Sequence, residues 1–407
     1  MGISTLVSAA LVAAAALPVT VLLVQVLAAL RRGRDGVQPG GDRPRVAVLM
    51  PAHDEAEVIV PTLARLLPEL APGDRVLVVA DNCADDTAAL ARAAGAQVAT
   101  RVDAERRGKS HALEFGVRHL AADAPEVVVV IDADCLVEPG AIDRLARECG
   151  ARNRPVQGLY LMHSPAVNGL AGQVAAFAWR VRNWVRPLGM RNLGLACQLM
   201  GTGTAFPWAA IREFPIANRE MAEDYKFGID LASAGYPPCF LPGARVSSEF
   251  PLKSSAVRSQ RTRWEHGHLN LILREVPKLT LRALARRDAQ LLGMAIDLAV
   301  PPLAFLALLL AAATAAGAAM TLLAGAWWPF AALLAFDAMF AATVLIAWHG
   351  WGREAIPGRA LAAAPLYALG KIPMYLRFAT RRQRVWLKTE RDAPPRAAAA
   401  PVRASRD

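Results

Sequence analysis

Residues 127–134 read V-V-V-V-I-D-A-D, five β-branched residues running into two carboxylates spaced by one alanine. An apolar run with no polar alternation is a strand buried on both faces, as in a parallel sheet covered by helices. Three more runs precede it: RVAVLMPAH (45–53), RVLVVADN (75–82) and QVATRV (97–102). The intervening stretches have helical spacing. EAEVIVPTLARLLPEL (55–70) is expected to start near Asp54, DDTAALARAAG (85–95) is closed by Gly95, and GKSHALEFGVRHLAA (108–122) follows the third run. This β-α-β-α order predicts an α/β fold with a parallel sheet and helices on both faces.

Ligands of such sheets bind beyond the carboxyl ends of the strands. Polar side chains collect there: His53, Asp54 and Glu55 after the first run, Asp81 and Asn82 after the second, Asp132 and Asp134 after the fourth. Asp132-Ala133-Asp134 offers two hard oxygens to a divalent ion that keeps waters and phosphates as its other ligands; a solvated turn is the plain alternative. Asp81 suits a nucleobase N–H or a ribose hydroxyl, and since Asp85 or Asp86 serves better as the helix cap, Asp81 is expected to be free for a ligand. Gly108-Lys109-Ser110 places a Lys at a helix start, which favours phosphate, although the spacing is not that of a Walker loop.

Farther along, Glu223-Asp224 opens a helical stretch. There a carboxylate either favours the helix dipole or serves as a general base. Gln260, Arg263 and Trp264, in Q-R-T-R-W, share one helix face. That face suits a sugar ring and a diphosphate, or else an amphipathic helix on a membrane.

Of 407 residues, 54% are hydrophobic and 20% charged, with mean hydropathy +0.28. A polar domain must therefore sit beside apolar spans. Residues 3–30, ISTLVSAALVAAAALPVTVLLVQVLAAL, carry no charge and exceed the ~20 residues that cross a bilayer. Arg31, Arg32 and Arg34 follow the run rather than precede it, so the N-terminus is expected outside and the chain beyond it in the cytosol. A second apolar zone, about 291–348, holds two spans separated by Gly325, Trp327, Trp328 and Pro329, with Asp297 and Asp337 inside them and facing protein or headgroups. Residues 360–380 read as an interfacial helix. Arg381, Arg382 and Arg384 would meet anionic headgroups, and 392–407 reads as disordered. The net charge of +11 is thus assigned to the membrane; no aromatic-plus-basic module speaks for nucleic acid. Five scattered cysteines without C-x-x-C read as free thiols in a reducing cytosol.

The ordered set H-D-E (53–55), V-A-D-N-C-A-D-D-T (79–87), G-K-S-H-A-L (108–113), D-A-D (132–134), E-D (223–224) and Q-R-T-R-W (260–264) resembles the family 2 glycosyltransferases of GT-A fold. The similar branch is membrane-integrated and inverting: cellulose, chitin and hyaluronan synthases and exopolysaccharide transferases. The stretch R-R-Q-R-V-W-L-K-T-E-R-D (381–392) is similar to the C-terminal signature of the exopolysaccharide members. The resemblance implies a GT-A, Rossmann-like nucleotide-sugar domain with helical transmembrane segments. It also implies that Pro51, His53, Glu55, Asp81, Lys109 and Asp132 bind a UDP- or GDP-sugar, and that Asp134 with Asp132 ligates Mg2+ or Mn2+. Asp224 would be the catalytic base, with Glu223 beside it, and Gln260, Arg263 and Trp264 would border diphosphate and acceptor.

The expected organisation is a transmembrane helix over 1–33, a cytosolic catalytic domain over 43–287, two transmembrane helices over 288–350, an interfacial and basic segment over 351–391, and a tail over 392–407. The expected reaction adds a sugar to a lipid-linked or saccharide acceptor in exopolysaccharide synthesis, at the cytosolic face of a bacterial inner membrane. Polysaccharide export components are among the expected partners. The alternatives weighed are a ceramide-type glycolipid glucosyltransferase and a non-catalytic nucleotide-sugar-binding subunit of a secretion complex. The complete D-x-D, E-D and Q-x-x-R-W set argues against the latter, because a scaffold has no use for a base.

Overall fold

A computed structural model describes residues 3–31, 42–218 and 220–380. Arg32, Arg34, Arg381, Arg382, Arg384 and the segment 392–407 lie outside the described residues. The first helix, α1 (Ile3–Ala29), is followed by β1 (Val46–Ala52), α2 (Ile59–Leu66), β2 (Arg75–Asp81), α3 (Thr87–Ala93), β3 (Gln97–Arg101), α4 (Lys109–Leu120) and β4 (Val127–Val130). These are the strands and helices read from the apolar runs. β3, β2, β1 and β4 lie side by side and parallel. Buried residues on the two sheet faces form separate cores, one against α2 and α3, the other against α4.

The second half departs from the parallel expectation. It adds β5 (Leu136–Val137), α5 (Ala141–Arg152), β6 (Val156–His163), α6 (Gly169–Arg180), α7 (Arg186–Asn192), β7 (Thr204–Pro207), α8 (Trp208–Glu213), α9 (Glu223–Ser233) and β8 (Cys239–Glu249). The eight strands run β3-β2-β1-β4-β7-β6-β8-β5, and β7 is antiparallel to both β4 and β6. A mixed sheet results. These strands are illegible by pattern because Gln157, Gly158, Pro242 and Gly243 interrupt them. At Gly158 a Cβ would lie 2.7 Å from the Ala244 carbonyl, so only glycine allows that approach of backbones.

The helix expected from Asp54 begins at Ile59. Asp54 instead takes a left-handed φ of 54°, and its carboxylate accepts the Ala84 amide on the neighbouring loop. Asp85 accepts the Thr87 amide at the start of α3, while Asp86, the N-cap residue, makes no side-chain cap bond.

Beyond the sheet lie α10 (Ser254–Arg286), α11 (Ala289–Leu298), α12 (Leu303–Ala324), α13 (Trp327–Ala347), α14 (Gly358–Leu361), α15 (Ala364–Gly370) and α16 (Ile372–Thr380). Among the described residues, three helices are long and apolar enough to cross a membrane: Leu6–Ala29, Leu303–Ala324 and Trp327–Gly352. In the apolar zone from Leu291, helices of that length begin only at Leu303. Pro301 and Pro302 break it, leaving α11 as a separate ten-residue helix. Asp297 sits on α11 and not within a span. It is buried and accepts hydrogen bonds from Gln25 of α1 at 2.7 Å and from Arg186 of α7 at 2.8 Å. Arg186 also donates to Gln25, closing a triangle that pins the first apolar helix to the sheet domain. Asp337 accepts from Thr314 across α12 and α13. The segment 360–380 is three short helices, since Pro365 and Pro373 interrupt it.

Candidate active site

The valine run of β4 ends against the sheet's carboxyl edge, so Asp132 and Asp134 emerge just beyond buried Ile131. The Asp132 amide donates to Thr202 Oγ1 at 3.0 Å, which fixes the turn, and its carboxylate lies 2.5 Å from Lys109 Nζ. Lys109, at the start of α4, also donates to the Gly201 carbonyl at 2.8 Å. Gly201 holds φ +84°, and a Cβ there would stand 3.4 Å from Asp224 Oδ2 and 3.5 Å from Lys109 Nζ. A glycine backbone thus brings the strand-end carboxylates, the lysine and the start of α9 into one cluster. Beneath it, a cavity of about 40 Å3 is lined in part by Lys109, Gly201, Glu223 and Asp224.

Charges in this cluster perturb one another. Burial, then the charge of Asp132, pushes the Asp134 carboxyl up to about 6. Burial, then Asp224, pushes Glu223 up to about 7. Burial also raises Asp224, with Arg182 and Lys109 opposing. Burial lowers the Lys109 pKa, but Asp132, Glu223 and Asp224 outweigh it, so the ammonium is held charged. Perturbation of this kind, in a cluster at a strand edge, marks sites of chemistry.

Asp132, Asp134 and Cys135 present ligand atoms within 4.8 Å of one another. The two carboxylates fit Mg2+ or Mn2+, which take oxygen ligands. Their mutual repulsion, relieved only in part by Lys109, is what a divalent cation would remove.

Q-R-T-R-W lies on α10. Gln260 Oε1 and Arg263 Nε are buried with no hydrogen-bond partner among the described residues, and Arg263 acts electrostatically on Glu223. Orphaned buried polar atoms require a partner, and through Glu223 Arg263 is linked to this cluster. Trp264, expected to border diphosphate and acceptor, lies against Trp179 with centroids 4.9 Å apart. The ring is half-buried and packs against the sheet core, where Trp179 in turn meets Phe250 edge-on.

Asp81 was expected to be free, and it is not. It is buried, paired with Arg101 at 2.5 Å, and bonded by Asn82. Both bonds use Oδ1. His53 Nδ1 bonds the Asp81 carbonyl at 2.6 Å, and the buried Glu55 donates its amide to Thr87. Pro51 pairs with Val79 at the same edge. Asp81, His53 and Glu55 therefore form a second group at the β1 and β2 ends, beside the Asp132 cluster on the same sheet edge.

Four participants carry no motif that marks them in the sequence. Gly201 and Thr202 lie in G-T-G-T (201–204), where paired glycines before an apolar strand were the available signal. Gln157, buried in β6, ties that loop down through Met200 and Thr204. Arg182 donates to Tyr225 Oη at 2.8 Å from a π-helical turn, 181–185, and no local motif announces it. A further cavity of about 340 Å3, lined by Arg101, Arg106, His111 and Arg118 among others, lies at the β3 side, away from the carboxylate cluster.

The family described as "Glycosyltransferase like family 2" matches residues 44–267, more than half of the chain. The chain is 28% identical over 258 residues to "Probable glycosyltransferase YdaM" of Bacillus subtilis (strain 168), covering 57% of each. An uncharacterized glycosyltransferase of Mycobacterium tuberculosis is 38% identical over 144 residues, 34% of this chain and 59% of that protein. The chain thus spans under two thirds of the length of these curated relatives. Its fold is similar to that of the Pyrobaculum calidifontis mannosyltransferase PcManGT, solved with GDP-Man and Mn2+ (TM-score 0.55, 20% identity, covering 91% of this chain and 98% of that one).

Proposed function

The chain belongs to the glycosyltransferase-like family 2, and from that membership we propose that it transfers a sugar from a nucleoside diphosphate donor, with inversion, to a lipid-linked or saccharide acceptor. The observation that carries this reading is the convergence of Asp132, Lys109, Glu223 and Asp224 on Gly201. Positive and negative groups so arranged can hold a diphosphate and deprotonate a hydroxyl beside it.

Asp81, Glu55, Pro51 and His53 would receive the nucleoside. Lys109 would meet the diphosphate, and Arg263 and Gln260, whose buried polar atoms lack partners, would complete its contacts. A divalent ion held by Asp132 and Asp134 would supply Lewis-acid neutralisation of the leaving group. Asp224 would take the proton of the acceptor hydroxyl as that oxygen attacks the anomeric carbon opposite the departing diphosphate. Of the paired carboxylates, Asp224 is favoured as the base because the Arg182 guanidinium opposes the effect of burial on it, whereas burial and Asp224 push Glu223 up to about 7. Fixed positive charge at the leaving group would provide the largest share of the rate.

A lipid-linked acceptor is supported by α10. The helix bearing Gln260 and Arg263 is tied to the apolar α15 and α16 by Arg261 to Tyr367, and by Lys371 and Tyr375 to Glu265. The site would then open at a membrane surface. We assign residues 43–287 to a cytosolic domain, the three apolar helices to a bacterial inner membrane, and exopolysaccharide assembly as the setting.

The test is release of UDP or GDP from membranes containing the protein, given a panel of nucleotide sugars with Mg2+ or Mn2+. Product mass then identifies the acceptor. Release that is absent with every donor, or unchanged in Asp224→Asn, removes the proposal.

A further inference from the structure

The β1 and β2 ends bring together three side chains that the transfer reaction leaves without a joint task. His53 and Asp54 follow β1, and Cys83 follows β2. Their ligand atoms all lie within 4.8 Å of one another, and all three residues are half-buried. We propose that His53, Asp54 and Cys83 form a binding site for one thiophilic divalent cation of the zinc class, distinct from the Asp132–Asp134 pair.

Three observations carry the assignment. First, the donor set is mixed. Imidazole nitrogen, thiolate sulfur and carboxylate oxygen are the ligands of Zn2+, whereas Mg2+ and Mn2+ take oxygens. Second, the imidazole is oriented. Its Nδ1 bonds the Asp81 carbonyl at 2.6 Å, and its Nε2 faces Asp54 Oδ2 at 3.8 Å. An outer carbonyl that fixes one ring nitrogen and leaves the other toward the ion is the usual support of a ligating histidine.

Third, the two loops are braced against each other before any ion arrives. Asp54 Oδ1 accepts the Ala84 amide, and Asp85 Oδ2 accepts the Ala56 amide. Asp54 and Asn82 both hold left-handed φ, at 54° and 52°, a conformation that costs free energy in residues other than glycine. That geometry turns Asp54 and Cys83 toward a common point. Tetrahedral zinc would separate its ligand atoms by roughly 3.4–3.6 Å. Atoms already within 4.8 Å of one another reach that spacing by side-chain rotation. Water completes the fourth position, and the Cys83 proton leaves to solvent as the Zn–S bond forms.

The cation would sit against the Asp81 backbone and so bear on the nucleoside end, but the assignment stands on these residues alone and does not depend on the transferase reading. The full-length protein in detergent, stripped with chelator, is titrated with Zn2+, and the Zn edge is read by X-ray absorption. One equivalent with a single sulfur ligand is expected. Cys83→Ser should lose the sulfur signal and His53→Gln should weaken Zn2+ affinity more than about 100-fold, beyond the 10–100-fold typical of losing only an outer hydrogen-bond partner. Cys135→Ser and Asp134→Asn should retain the sulfur signal. Far-UV circular dichroism of each variant establishes that it is folded. A wild-type protein without sulfur-ligated zinc, a signal surviving Cys83→Ser, or one lost in Cys135→Ser overturns the site.

Discussion

Arg101 and Asp81 form a buried ion pair at 2.5 Å, and the same guanidinium reaches Asp103 at 3.0 Å and the Arg106 carbonyl at 2.6 Å. The aspartate proposed for the nucleoside is therefore held from behind by a cation that also shapes the loop before Lys109. Removing one partner leaves a buried charge uncompensated, which costs about 3–5 kcal/mol. Arg101→Met should lower the melting temperature and raise the donor KM, with a smaller effect on kcat. An unchanged KM in a folded variant would remove Asp81 from the nucleoside site.

Asp224→Asn keeps the size of the side chain and removes its basicity. General-base catalysis contributes about 10²–10⁴-fold, so kcat should fall by that range while donor binding, read by calorimetry, persists. Glu223→Gln should cost less. The reverse ranking would exchange the two roles.

Glu223, pushed up to about 7, ties stability to pH in a definite direction. The folded state binds this proton more tightly than the unfolded chain, whose glutamates titrate near 4.5. The stabilisation is complete below about pH 4.5 and is lost as pH rises through about 7. Melting of the metal-free protein should therefore fall between about pH 5 and about pH 8, and Glu223→Gln should flatten that slope. A wild-type curve that rises over the window contradicts the burial of this carboxyl.

Asp134, raised to about 6 by burial and Asp132, predicts a cation requirement. Chelation should abolish sugar transfer, and Mn2+ or Mg2+ should restore it. Asp134→Asn should lose Mn2+ binding as seen by electron paramagnetic resonance. Full activity in chelator would separate these carboxylates from any metal role.

Asp297 joins Gln25 and Arg186 where the first apolar helix meets the sheet domain. Asp297→Ala leaves Arg186 buried without its counter-ion and should destabilise by about 3–5 kcal/mol. Asp337→Ala breaks an interhelical bond to Thr314, a class that averages about 0.6 kcal/mol in membranes. Detergent or thermal unfolding of the two variants should rank them in that order.

Much of the catalytic half is written locally. Apolar runs such as Val127–Val130 need only their neighbours' burial to become strands, and a parallel sheet collects polar residues at its carboxyl edge. Asp132, Asp134 and Lys109 could thus be singled out from chain position alone, as could three apolar stretches long enough for a bilayer. Tertiary structure decided what each group touches. Asp81 lost its expected freedom to Arg101, twenty residues on, and Trp264 meets Trp179 across 85 positions of chain. Gly201, Gln157 and Arg182 joined the site through a mixed sheet and a π turn with no periodic signature. Periodicity reports how a segment meets a core, whereas a hydrogen bond or ion pair depends on where two distant segments cross, and that is set only when the whole chain packs.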